Sequence, residues 1–161
     1  MFGIAIAHLA LAPAAVQQAC ENNIVGTWQL VSAVSRGPGS LRNNAPYGQS
    51  PNGMLIYTAD GHMSVMISYG DRTPLSNPDR LAAPRAERAQ AFATFFGYAG
   101  RYAYSCDRVV HHVETASVPN WEKTDFVRLV KYDGKKLTLI TPPRRLGGAV
   151  STFELLWEKA D

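Results

Sequence analysis

Gly26-Thr27-Trp28 opens a strand-like run, and about 130 residues of short segments with period-two alternation follow it. A glycine two residues ahead of a strand tryptophan, with so many strands behind it, reads as the first strand of a small closed barrel whose floor the indole plugs. A closed barrel of this size has room for one small ligand.

Turn chemistry divides the chain. The first strand runs from about Thr27 to Val34, with Trp28 and Leu30 on one face and Gln29 and Val31 on the other. A loop rich in Gly, Pro and Asn, from Arg36 to Asn52, is long enough to serve as a mouth loop. Met54 to Thr58 and Met63 to Ser68 form a hairpin across Ala59-Asp60-Gly61, whose Asp-Gly pair suits a tight turn. Pro74 and Pro78 exclude regular pairing from Tyr69 to Ala82. From Pro84 to about Phe96 the period becomes helical, with Ala89, Phe92, Ala93 and Phe96 on one stripe. Tyr102 to Ser105, Val109 to Ala116, Thr124 to Tyr132, Lys136 to Thr141 and Val150 to Glu158 complete the strands, and Asp133-Gly134 marks a second hairpin turn. The expected fold is all-β: an eight-stranded antiparallel up-and-down barrel with one short helix between the third and fourth strands.

At 161 residues and 46% apolar composition the chain fits one domain, expected over 24–161 and preceded by an apolar segment, 1–23. Met1 to Cys20 carries no charged side chain, and the segment reads either as an export signal lacking its basic start or as a helix capping one end of the barrel. It is too short to span a bilayer, so no membrane partner is expected. Location stays open, with a lean to cytoplasmic over exported. Cys20 and Cys106 are the only cysteines, and one disulfide or two free thiols both fit. The net charge of +3 comes from dispersed Lys and Arg, which argues against nucleic acid as a partner. Monomer and homodimer are both compatible with the sequence.

Several segments in one order carry a family resemblance: Gly26-Thr27-Trp28, the run Leu55 to Val65, the aromatic helix ending before Gly100-Arg101-Tyr102, and Val110-His111-His112-Val113-Glu114 followed by Pro119-Asn120-Trp121. With them the chain resembles the lipocalin-like domain family of small stand-alone proteins, over roughly Ile24 to Glu158. The resemblance implies a calycin-type barrel and carries no settled catalytic residues. Related small barrels include carriers of hydrophobic molecules and cofactor-free cyclases or isomerases of natural-product pathways.

Alternation then nominates the residues of chemistry. Phe126, Arg128, Val130 and Tyr132 share a face, which would put one cation among apolar walls, against a carboxylate, an enolate or the ring of Trp28. Only one of His111 and His112 can point inward. His111 is the better choice, because Val109 and Val113 share its face while Glu114 shares that of His112. A neutral imidazole there could act as a general acid or base, or direct one hydrogen bond. The catalytic candidates are His111, Arg128 and Tyr102. The ligand-contact candidates are Trp28, Leu30, Tyr57, Val65, Phe92, Phe96, Tyr104, Trp121, Phe126 and Leu155. Phe92 and Phe96 would belong to a helical lid, Trp121 to the cover of one barrel end.

No metal site and no cofactor are expected, since thiolate pairs, nucleotide loops, a nucleophile elbow and a metal helix are all missing. Two functions follow. The first is binding of a small hydrophobic or aromatic molecule, with Arg128 and His111 fixing its polar end. The alternative is a cofactor-independent cyclase or isomerase of a polyketide or terpenoid pathway, with the cavity as its active site.

Overall fold

A computed structural model describes residues 23–38, 44–146 and 149–160. Among the described residues nine strands and one α-helix follow in order: β1 (Gly26–Arg36), β2 (Asn52–Tyr57), β3 (His62–Ser68), α1 (Arg85–Ala93), β4 (Phe95–Ser105), β5 (Arg108–Ala116), β6 (Asp125–Tyr132), β7 (Lys136–Ile140), β8 (Arg144–Leu146) and β9 (Ala149–Lys159). Each of β1 to β6 pairs antiparallel with its successor, β7 pairs with β9, and β9 pairs back onto β1, which closes an eight-stranded up-and-down barrel. The short β8 pairs only with the start of β9 and lies outside that ring. It had no counterpart in the expected strand set, because three residues are too few to show alternation. Among the described residues no helix is long and apolar enough to cross a membrane.

The two ends of the barrel differ. At one end β2–β3, β4–β5 and β6–β7 are joined by tight turns. Gly61 and Gly134 adopt φ of 87° and 95° at two of them, and Asp133 Oδ1 accepts the amide protons of Lys135 and Lys136. At the other end lie the long connections, of which 69–84 and the loop around Tyr47 are tied together. Gly70 N donates to Tyr47 O at 3.1 Å, and a Cβ at Gly70 would collide with the carbonyl of Gln49.

Two irregularities bend the wall. The β1–β9 register shifts between Leu30 and Ser32, so the inward face passes from Trp28 and Leu30 to Ala33 and Ser35. A second shift falls between Ala99 and Gly100, where a Cβ would stand 2.0 Å from the His112 carbonyl oxygen. Only glycine allows that approach.

The expected helix over 84–96 is shorter and differently placed. It stops at Ala93, has no buried residue, and leaves Phe92 56% exposed, so the stripe of Ala89, Phe92 and Ala93 faces away from the core. Phe96 is not helical at all. It pairs with Ile67 in the β3–β4 ladder, because the strand now begins at Phe95 and runs through Gly97 and Gly100. The ladder's hydrogen bonds and the burial of Tyr98 outweigh the local helical period.

Below the barrel's midpoint the core is packed solid by Ile24, Trp28, Tyr57, Met63, Tyr102, Val109 and Leu137. Trp28 is fully buried, donates Nε1–H to Ile24 O at 2.9 Å, and meets Tyr132 edge-on. The cation over its ring is Lys159, 5.7 Å from the centroid; Arg128 instead lies 5.1 Å from that of Phe126. Cys106 is disulfide-bonded, and Cys20, the only other cysteine in the sequence, lies outside the described residues along with the rest of segment 1–22.

Candidate functional site

Above the packed floor the barrel encloses a cavity of about 460 Å³ that opens toward the long-loop end. That volume is in the range of small-molecule sites. Its walls come from inward-facing positions of every barrel strand but β1: Leu55, Val65, Ile67, Tyr98, Leu139 and Leu155 are among them. Near the opening Phe96, Tyr98, Trp121 and Phe126 form an aromatic collar. Trp121 lies 5.6 Å from both Phe96 and Phe126, and Tyr98 lies 5.3 Å from Phe126, all near edge-to-face. A single 3-10 turn, Pro119–Trp121, carries the tryptophan into this collar. Tyr47 and Tyr69, in contact at 5.3 Å, come from the mouth loops.

One pole of this apolar chamber is polar. His111, on β5, is 1% exposed. Its Nε2 lies 2.6 Å from Tyr57 Oη and its Nδ1 lies 2.9 Å from Tyr98 Oη, so strands β2 and β4 clamp the imidazole from two sides. Burial, helped by the charge of Arg128 and then that of His112, lowers the His111 pKa from its usual 6.5 to about 3, which makes the ring neutral at any physiological pH. Burial also raises the Tyr57 phenol well above its usual 10, and raises Tyr98 against the opposing pull of Arg128. His112 points the other way and bonds Asp125 at the surface, 2.7 Å away.

Arg128 is half-buried in the wall, held by a 2.9 Å bond from Nη1 to the carbonyl of Val127 and by the Phe126 ring. No aspartate or glutamate lines the cavity among the described residues. The lining therefore carries a cation without an anion. A second donor borders it, since Trp157 lines the cavity and its buried indole N–H has no partner among the described residues. No cluster of metal-binding side chains occurs among the described residues.

The residues named from the sequence separate by height along the barrel. His111, Arg128, Val65, Phe96, Trp121, Phe126 and Leu155 line the cavity together. Trp28, Leu30, Tyr57 and Tyr102 also face inward, yet they are buried and do not line it. Tyr102 stacks on Tyr57 at 4.7 Å and donates its hydroxyl to Thr58 O, while Tyr104 bonds Asn23 at 3.2 Å. Phe92 lies outside the barrel on the exposed helix. Sequence reasoning passed over Tyr98, the tyrosine that bonds His111. It sits between Gly97 and Gly100, a pair that reads as a break between helix and strand when the pairing partner is unknown.

Residues 25–160 fit the family model described as lipocalin-like domain. A search of curated proteins finds no significant match.

Proposed function

The chain belongs to the lipocalin-like domain family, and on that premise we propose that it binds a small hydrophobic or aromatic molecule inside the barrel, with the polar end of that molecule at the pole formed by Arg128 and the Tyr98–His111 pair. The observation that carries this reading is the pairing, among the described residues, of an aromatic collar with a cation that no lining carboxylate compensates, in a cavity of about 460 Å³. Apolar walls supply most of the binding energy, at about 25 cal/mol per Å² of surface removed from water, and the few polar groups orient the guest. An apolar cavity filled only by hydrocarbon would have no use for a guanidinium whose hydration is reduced.

The test is mass spectrometry of the purified protein under non-denaturing conditions, followed by extraction. A retained organic molecule of a few hundred daltons supports the reading. A protein that comes out empty, and stays empty when offered a panel of aromatic acids and phenols, counts against it.

The Tyr57–His111–Tyr98 chain beside Arg128 favours a second reading, a cofactor-independent isomerase or cyclase in which Arg128 stabilises negative charge developing on a bound oxygen. Returning the extracted molecule to fresh protein separates the two. Unchanged material supports a carrier, and a product of equal mass with a different chromatographic retention supports the enzyme.

A further inference from the structure

The protons at the polar pole can be assigned one at a time. Tyr57 Oη is buried and has one hydrogen-bond partner among the described residues, Nε2 of His111. A buried hydroxyl needs an acceptor for its proton. Nε2 must then be that acceptor, at a distance of 2.6 Å that suits an O–H donor. A neutral imidazole with a bare Nε2 carries its hydrogen on Nδ1, which donates to Tyr98 Oη at 2.9 Å, the usual length of an N–H donor bond. The Tyr98 oxygen is thus already an acceptor, and its own hydrogen has no protein acceptor among the described residues. Tyr98 lines the cavity, as does Arg128.

We infer that the Tyr98 hydroxyl is a directed proton donor facing the cavity, oriented by the buried Tyr57–His111 pair, and that with Arg128 it forms a seat for one electron-rich oxygen, the carbonyl, enolate or phenolate oxygen of an aromatic guest. This deepens the proposed function and rests on it. His111 is on this account a positioning residue, since both its nitrogens are occupied by tyrosines and neither faces the guest. The tyrosine that meets the guest is Tyr98, on the cavity wall, whereas Tyr102, four residues further along the same strand, lies in the floor with its hydroxyl committed to Thr58 O. A neutral oxygen gains one hydrogen bond from this seat, and an anionic one gains the nearby guanidinium as well.

Two measurements test it. Nitrogen-15 NMR of the imidazole in the intact protein between pH 5 and 8 is expected to show the proton on Nδ1 and none on Nε2, unchanged over the range; a proton on Nε2 overturns the inference. Equilibrium dialysis with 2-naphthol and naphthalene then probes the seat itself. The naphthol is expected to bind about tenfold more tightly than the hydrocarbon, a preference equal to about one hydrogen bond between neutral groups. Tyr98→Phe is expected to abolish most of that preference, read as the ratio of the two affinities in the same variant. Equal binding of both probes by the unaltered protein, or a preference that survives Tyr98→Phe, overturns it. Failure of both probes to bind would count against the cavity reading above, and the NMR result would still decide the proton arrangement.

Discussion

Tyr57 and Tyr98 reach the same imidazole from opposite sides, at 2.6 Å and 2.9 Å from the two nitrogens of His111, so that the floor of the barrel and the wall of its cavity are joined through one buried neutral ring. Tyr57 belongs to the packed floor and Tyr98 to the open chamber. On the proposed function, the collar's hold on an apolar guest should therefore be separable by mutation from the stability that the floor supplies.

Tyr57→Phe removes the donor to Nε2 without emptying space, and leaves a buried acceptor bare. The expected loss is about 1–3 kcal/mol of stability, read as a lower midpoint in urea denaturation. The aromatic collar is untouched, so naphthalene affinity should not change.

Stability should fall with acid because of His111. Its folded pKa is about 3 against the ordinary 6.5, so between those values the unfolded chain takes up a proton that the folded one refuses. The stabilisation is complete above about pH 6.5 and is lost as pH drops toward 3, by about 1.4 kcal/mol per pH unit. Urea denaturation at pH 7 and pH 4.5 measures this slope. His111→Gln should be less stable at pH 7 yet show a flatter profile over the same interval.

Arg128→Met keeps an unbranched apolar stem in the wall while removing the guanidinium, with its charge and its place over the Phe126 ring. Binding of a naphtholate-like anion is expected to weaken by about tenfold or more, an effect of the size of a lost charge-assisted bond, while the affinity for naphthalene holds or rises. Calorimetric titration with 1-hydroxy-2-naphthoate checks the anion arm, and loss of both affinities together would point to a collapsed cavity instead.

Tryptophan fluorescence should report the cavity by position. Trp121 and Trp157 line it and Trp28 does not. Quenching by a bound aromatic guest is expected to persist in Trp28→Phe and to diminish in Trp121→Phe. Trp28→Phe should instead lower the melting temperature, since it forfeits the bond to Ile24 O and part of the floor's packing, at about 1–3 kcal/mol.

Gly100→Ala places a methyl 2.0 Å from a backbone oxygen of β5, the strand that holds His111. Because backbone and not a flexible side chain is the obstacle, the β4–β5 pair must shift, with an expected cost of at least about 2 kcal/mol. Thermal denaturation, with Gly134→Ala as a comparison at a turn where no atom lies within 4 Å but φ is positive, checks the size of the effect.

Alternation along single strands was enough to sort His111 from His112 and to place Arg128 on the inner face beside Phe126, since a strand side chain's sense depends only on its parity within an unbroken ladder. The helix was legible in its Pro84 start but not in its end, because Thr94 to Gly97 satisfy a helical period as well as a strand one until β3 is there to pair with. Tyr98 escaped notice for the same reason. Tyr102 shares its parity but lies lower, in the floor, with its hydroxyl on Thr58 O.

The amino-acid sequence by itself determined most of the strands in their order, the two glycine hairpins and which of His111 and His112 turns inward, because these depend on neighbours two or three residues away. Only the tertiary structure decided how deep each inward side chain sits, where the ladders slip at Leu30/Ser32 and Ala99/Gly100, and that Tyr57, Tyr98 and His111 converge. Depth and convergence arise from register and closure between strands far apart in the chain, and those are settled when the whole barrel forms its hydrogen bonds together.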